Sequence, residues 1–61
     1  MENYRFTAFE KTGETLFDEV WTFENDETAK IEGQKKIEEK GITEKTHRLV
    51  NATGQLILFH I

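Results

Sequence analysis

Two histidines and an aspartate are the side chains of this 61-residue chain with the clearest capacity for acid–base or metal chemistry. There is no cysteine, so a metal site would combine His47 and His60 with carboxylates, a poor ligand set for structural zinc. The alternation around them predicts that the two rings point to opposite faces of a sheet, so we expect no shared ion. A pair between His47 and Asp18 is conceivable, but Phe6 is predicted to lie between them. Both histidines are more simply interpreted as polar positions at the rim of a small core.

Other reactive groups are sparse. The chain has no serine, and no threonine stands at a recognisable spacing from a base, as nucleophilic catalysis would require. Asn51-Ala52-Thr53 matches an N-glycosylation acceptor, but asparagine at the first position of a turn is ordinary turn chemistry. We therefore expect no catalytic residue, no metal site, no cofactor and no enzyme. A small His-dependent metal or acid–base protein using His47 is the alternative.

Composition narrows the class of partner. The formal net charge is −4, and an acidic chain has no long-range attraction for phosphate backbones or anionic lipid. Nucleic-acid binding is therefore not expected and stands as a second alternative. No segment approaches the ~18 apolar residues of a membrane span. Without cysteine or a signal-peptide pattern, the chain is predicted to be cytoplasmic, with no membrane contact.

Residues 3–23 predict a β-hairpin. Apolar and polar residues alternate on both sides of "EKTGE", which is typical of a type I turn followed by a glycine bulge at Gly13. An uninterrupted register from this turn places Tyr4 opposite Val20. It also places Arg5 opposite Glu19, a favourable pair of charges. The predicted helix-facing side then comprises Tyr4, Phe6, Ala8, Leu16 and Val20.

Residues 26–40 predict a helix. Asn25 or Asp26 suits its N-cap, while Gly41 suits a left-handed C-terminal position, with Ile42 closing a Schellman ending. Ile31 lies on the far side and has no evident structural role. The predicted buried stripe is narrow and consists of Ala29, Gly33 and Ile37, bordered by the stems of Lys36 and Lys40. A glycine at position 33 predicts close approach of the helix to a sheet.

Residues 45–61 predict a second hairpin that repeats the first. Aligning Gly54 with Gly13 matches "ATGQ" to "KTGE" and brings the flanking apolar positions into phase. The uninterrupted register places His47 opposite Phe59. It directs Ile57, Phe59 and Ile61 to the helix and Leu56 and Leu58 to the other face.

A single domain over residues 1–61 follows from these elements. Its predicted class is α+β, in the order ββαββ, with one four-stranded, mainly antiparallel sheet and a single helix on one face. A right-handed crossover should connect the hairpins. We favour the strand order 2-1-3-4, in which every neighbour is antiparallel, over the alternative 1-2-4-3.

The sheet face opposite the helix is the most informative feature for function. One helix covers only one face, and the predicted register leaves Phe9, Phe17, Trp21, Val50, Leu56 and Leu58 on the other, with Phe23 as a further candidate. Exposed apolar patches of this kind mark interfaces. We therefore expect a non-catalytic protein-interaction face that binds a protein partner or forms a homodimer. A monomer whose long polar side chains shield the face is the alternative.

Three segments resemble the YhzD-like family of short proteins from Bacillus-type bacteria. They are "YRFTAFEKTGETLFDE", "NDETAKIEGQKKIEEKG" and "EKTHRLVNATGQLILFH". The resemblance covers essentially the whole chain and consists of hydrophobic and turn patterns, with no catalytic signature. It implies an uncharacterised cytoplasmic bacterial protein and assigns no functional residue.

Overall fold

The structure, a computed structural model, describes residues 1–60. The elements are β1 (Glu2–Phe9), β2 (Thr15–Phe23), α1 (Asp26–Glu39), β3 (Thr46–Val50) and β4 (Leu56–His60). The strands form one antiparallel sheet in the order β2-β1-β3-β4. The predicted α+β class and the favoured strand order are confirmed. The orientation predicted for Ile61 lies outside the described residues.

Both ends of α1 form as its capping residues predict. The Asn25 side chain accepts a hydrogen bond from the Thr28 backbone N–H at 2.8 Å, which satisfies one of the free donors of the first turn. Gly41 has a φ of 70°, and the Ile42 N–H donates to the Ile37 carbonyl at 3.4 Å. This is the Schellman ending. The helix stops at Glu39, one residue before the predicted end, because Lys40 is its C-cap.

The helix approaches the sheet most closely at Gly33. Ala29, Gly33 and Ile37 are its buried residues, as predicted. A Cβ atom at Gly33 would lie 3.0 Å from Leu49 Cδ2 and 3.2 Å from Leu58 Cδ1. A side chain at this position would therefore press on the sheet, which confirms the close approach predicted from the glycine.

The two hairpin turns have the same geometry. In the first, the Gly13 N–H donates to the Glu10 carbonyl at 2.9 Å, and the Glu10 N–H donates to the Glu14 carbonyl at 2.8 Å. In the second, Asn51 makes the corresponding bonds with Gly54 and Gln55, both at 2.9 Å. Gly13 and Gly54 have φ values of 91° and 87°, as the position after a type I turn requires. The predicted turn repeat is confirmed.

Beyond the first turn, the predicted register is wrong by one residue. Phe9 lies opposite Thr15, as the turn dictates, but Ala8 lies opposite Phe17. Leu16 is therefore an extra residue in β2, a second bulge that sits next to the turn. Every later pair in this hairpin is displaced from the uninterrupted register.

The second hairpin contains the equivalent bulge. Val50 lies opposite Leu56, but Leu49 lies opposite Leu58, so Ile57 is the extra residue of β4. Ile57 follows Gly54 by the same interval that separates Leu16 from Gly13. The repeat between the hairpins thus includes the bulge as well as the turn.

A shift of one residue exchanges the two faces of a strand. Trp21, not Val20, lies opposite Tyr4, and Val20 lies opposite Arg5. Trp21 is 4% exposed and joins the core, whereas Val20 is 68% exposed. Leu16, predicted to face the helix, is also exposed. The core comprises Tyr4, Phe6, Ala8, Trp21, Phe23, Ala29, Ile37, Ile42 and Leu49, with Phe17, Ile57 and Leu58 packed against it.

Candidate interaction face

The open face is the side of the sheet that α1 does not cover. Its residues follow from the pairing of the strands and the alternation of side chains along each. One row across the sheet is Val20, Arg5, Val50 and Leu56, and the next is Asp18, Thr7, Arg48 and Phe59. A third row contains Thr15, Phe9 and Thr46.

Three of the six predicted interaction residues do lie on the open face. Leu56 is 49% exposed, and Phe9 and Val50 are half-buried. Phe9 and Val50 belong to β1 and β3, which carry no extra residue, and Leu56 lies between the second turn and its bulge. The predicted register holds at all three positions.

The other three lie on the helix-covered side, so their predicted placement is wrong. Trp21 is buried beneath the Lys36 ammonium, which lies 4.5 Å from the ring centre. The Lys40 ammonium lies over the Phe17 ring in the same way, 4.6 Å from the ring centre. Leu58 reaches α1 beside Gly33. All three follow a bulge, and the extra residue turned them towards the helix. Phe23, the further candidate, is buried as well.

Sequence reasoning missed two exposed apolar residues of the open face. They are Val20 and Phe59, both wrongly predicted to face the helix. Phe59 is 57% exposed and lies opposite Arg48, not opposite His47 as predicted. A signal was present in the first hairpin, because the uninterrupted register directs the charged Asp18 towards the helix. The bulged register sends Asp18 to solvent and brings the aromatic ring of Trp21 to the core.

An ion pair occupies the β1–β2 half of the open face. Arg5 donates from Nε to Asp18 Oδ1 at 3.0 Å and from Nη2 to Oδ2 at 2.9 Å. These hydrogen bonds hold the pKa of Asp18 below its usual value, against the raising effect of burial. The predicted Arg5–Glu19 pair is wrong. Glu19 lies on the other face and accepts a hydrogen bond from Trp21 Nε1 at 2.8 Å.

The two histidines lie side by side on the helix-covered face. Their ring centres are 5.6 Å apart and the planes differ by 24°, so the prediction of opposite faces is wrong for the same reason, the bulge in β4. His47 is buried, and its Nδ1 lies 2.8 Å from the Lys45 carbonyl. Because a carbonyl only accepts, Nδ1 carries the proton.

Neither chemical pairing considered for the histidines is present. Asp18 lies on the opposite face from His47 and is engaged by Arg5, so the conceivable His47–Asp18 pair does not form. Within residues 1–60, no group of three histidine, cysteine or acidic side chains is placed to hold a metal ion. The described part of the chain also contains no helix long and apolar enough to cross a membrane.

Asn51 and Thr53 of the glycosylation-like triplet have structural roles. The Asn51 Oδ1 accepts hydrogen bonds from the backbone N–H groups of Thr53 and Gln55, at 3.1 and 2.8 Å, and closes the turn. Its Nδ2 donates to Asp26 Oδ2 at 3.2 Å. The other oxygen of Asp26 accepts from the Tyr4 hydroxyl at 2.7 Å. Asp26 therefore joins β1, the start of α1 and the second turn.

The Tyr4 phenol gives a prediction for alkaline pH. Burial, the hydrogen bond to Asp26 and the charge of Asp26 raise the pKa of Tyr4 from 10.0 to about 12. The folded state thus holds this proton more tightly than the unfolded state. The stability that the protonated Tyr4 adds to the folded state is fully present below pH 10.0 and is lost as the pH rises through about 12. Tyr4 is the single tyrosine, so tyrosinate absorbance reports this group alone.

Asp26→Asn should lower that pKa part of the way, because burial remains. Glu24→Gln, at an exposed acid outside the network, should leave it unchanged. Circular dichroism on the same samples shows whether the fold persists at the midpoint. A midpoint near 10.0 in a folded sample would contradict the buried hydrogen bond.

Comparison with known proteins agrees with the resemblance found in the sequence. The profile of the YhzD-like protein family matches residues 1–61. The uncharacterized protein YhzD of Bacillus subtilis (strain 168) is 47% identical over 60 residues, which cover 98% of each chain. No solved structure matches the chain significantly. The chain belongs to the YhzD-like family.

Proposed function

We propose that this protein is a non-catalytic, cytoplasmic interaction module that binds a protein, either a different one or a second copy, through its open sheet face. The observation that carries the proposal is the exposure of Val20, Leu56 and Phe59 on that face, at 68%, 49% and 57%. Large apolar side chains grouped on one surface are characteristic of an interface.

Charge favours a protein partner over a nucleic acid. Sheets that bind single-stranded nucleic acid stack bases on exposed aromatic rings and are rich in positive charge. Here the chain carries a net charge of −4, and the tryptophan that would stack best is buried in the core. One of the two arginines on the face is neutralised by Asp18.

The test is a double variant, Val20→Ser with Phe59→Ser, measured for solution mass by light scattering and for partners recovered by quantitative pull-down. We expect a lower mass or the loss of a partner, because the variant removes two exposed apolar side chains without entering the core. Ile31→Ser is the matched control, since Ile31 is 59% exposed on α1, away from the face. Equal mass and equal recovery in wild type and double variant would overturn the proposal.

A further inference from the structure

The two edges of the sheet are unequally protected. Natural proteins guard edge strands against pairing with other chains by placing charges on them. The edge strand β2 carries Asp18 and Glu19, both within ion-pair distance of a basic side chain. The other edge strand, β4, contains no acidic or basic residue except the titratable His60. Its outer backbone groups therefore have no such protection.

The apolar part of the open face borders this unprotected edge. Val50 and Leu56 lie next to each other across β3 and β4, and Phe59 lies further along β4. The charged pair Arg5–Asp18 lies in the β1–β2 half. The β3–β4 half of the open face thus carries three apolar side chains and one charge, Arg48, whereas the β1–β2 half carries the exposed Val20 beside an ion pair.

We propose that the partner is a second copy of this chain, joined by antiparallel pairing of the two β4 strands. This inference rests on the proposed function of the open face and names its occupant. A two-fold axis would relate the copies, and the two sheets would become one sheet of eight strands. Backbone hydrogen bonds would connect the strands, as in other cases of strand addition, and the two apolar halves would form one surface.

Self-pairing suits β4 because a strand paired antiparallel with its copy faces its own sequence. Like charges directly opposite each other destabilise a sheet, and β4 contains no aspartate, glutamate, lysine or arginine. The same operation on β2 would bring Asp18 and Glu19 close to their copies. The chain is also short, and extension of its sheet would enlarge the small core of a 61-residue protein.

Stacking of two open faces fits the structure less well. It would bury the Arg5–Asp18 pair, whose side chains are 63% and 48% exposed, and taking an ion pair out of water carries a large desolvation penalty. Edge pairing leaves this pair in solvent. Because β4 has only 5 residues, the backbone hydrogen bonds between the copies need support from side-chain contacts. Phe59 is the exposed side chain nearest the middle of the strand.

The first experiment compares Phe59→Lys with Val20→Lys by light scattering and sedimentation over a range of micromolar concentrations. Both substitutions place a lysine on the open face, one on each edge strand. We expect a wild-type dimer, a dimer weakened by about tenfold or more in Phe59→Lys, which corresponds to about 1.4 kcal/mol, and an unchanged dimer in Val20→Lys.

The outcomes separate this inference from the proposed function. If both lysines dissociate the dimer, the copies stack face to face, so the edge inference is overturned while the open face keeps its function. If the wild type is a monomer at all concentrations, the inference is overturned, and the pull-down comparison decides the proposed function alone. If neither lysine affects a dimer, the inference is overturned, and the pull-down comparison again decides the proposed function.

Single cysteines test the geometry directly, because the chain has none of its own. A disulfide requires Cα atoms within about 7 Å, which a two-fold antiparallel pair provides only near its axis. Cysteine placed in turn at residues 57–60 should give a linked dimer at one or two adjacent positions, with circular dichroism confirming the fold. Thr22→Cys, on β2, should give none. Linkage from Thr22→Cys alone would overturn the inference.

Discussion

Trp21→Ala is expected to lower the free energy of unfolding by about 3–5 kcal/mol, the range for removal of a large buried aromatic side chain. Trp21 stacks on Phe6 with ring centres 4.2 Å apart and planes within 11°. Its indole N–H donates to Glu19. Proteins have roughly 0.05–0.15 kcal/mol of stability per residue, or about 3–9 kcal/mol for 61 residues, so a loss of this size would remove about a third or more of the total.

The matched control is Val20→Ala, at the adjacent residue of the same strand. Val20 is 68% exposed on the open face, and surface substitutions change stability by about 0.5 kcal/mol or less. Urea unfolding followed by circular dichroism measures both variants, since Trp21 is the only tryptophan. The uninterrupted register would exchange the two results, so a stable Trp21→Ala with an unstable Val20→Ala would contradict the structure.

This pair of variants also shows which residues can report on the interface. Replacing Trp21 or Phe17 perturbs the packing of the core, so any loss of binding would follow from loss of structure. Val20, Leu56 and Phe59 are exposed. Their substitution affects the open face with little effect on the fold.

Features that depend on local signals could be predicted from the sequence. The N-cap at Asn25, the Schellman ending at Gly41 and the two turns at Gly13 and Gly54 each depend on a few neighbouring residues with a strong backbone preference. The antiparallel pairing followed from the number and direction of the strands, but the directions allow both 2-1-3-4 and 1-2-4-3, and the structure has the favoured order 2-1-3-4. The narrow row of buried helix residues centred on Gly33 followed from helical periodicity.

The two bulges had no comparable local signal, and the one indication was indirect: the uninterrupted register directs the charged Asp18 towards the helix. Leu16 and Ile57 are ordinary strand residues, and a bulge at either leaves no mark in the composition of the strand. What stabilises the bulged register is non-local: the stacking of Trp21 on Phe6 and the packing of Lys36 over Trp21. Because one extra residue reverses the remainder of a strand, every misplaced interaction residue lies beyond a bulge, and every correctly placed one lies before it or on the unbulged strands.

Gly33→Val is expected to destabilise the protein by about 2–3 kcal/mol, near the upper part of the range for overpacking a core. The new Cβ would lie 3.0 Å from Leu49 Cδ2 and 3.2 Å from Leu58 Cδ1, and its methyl groups would extend further. The helix would have to move away from the sheet. Lys35→Val is the control, because Lys35 is exposed on the same helix. This substitution costs only about 0.5 kcal/mol of helix propensity.

Gly33→Ala separates the two effects of the glycine. Alanine gains about 1 kcal/mol of helix propensity over glycine, and its single methyl group would meet only the ends of two leucine side chains, which can shift by a few tenths of an ångström. We therefore expect Gly33→Ala to be clearly more stable than Gly33→Val in urea unfolding. Trp21 fluorescence should change in Gly33→Val, because Lys36 lies over the indole ring and moves with the helix. If Gly33→Val were as stable as Gly33→Ala, α1 would not lie this close to Leu49 and Leu58.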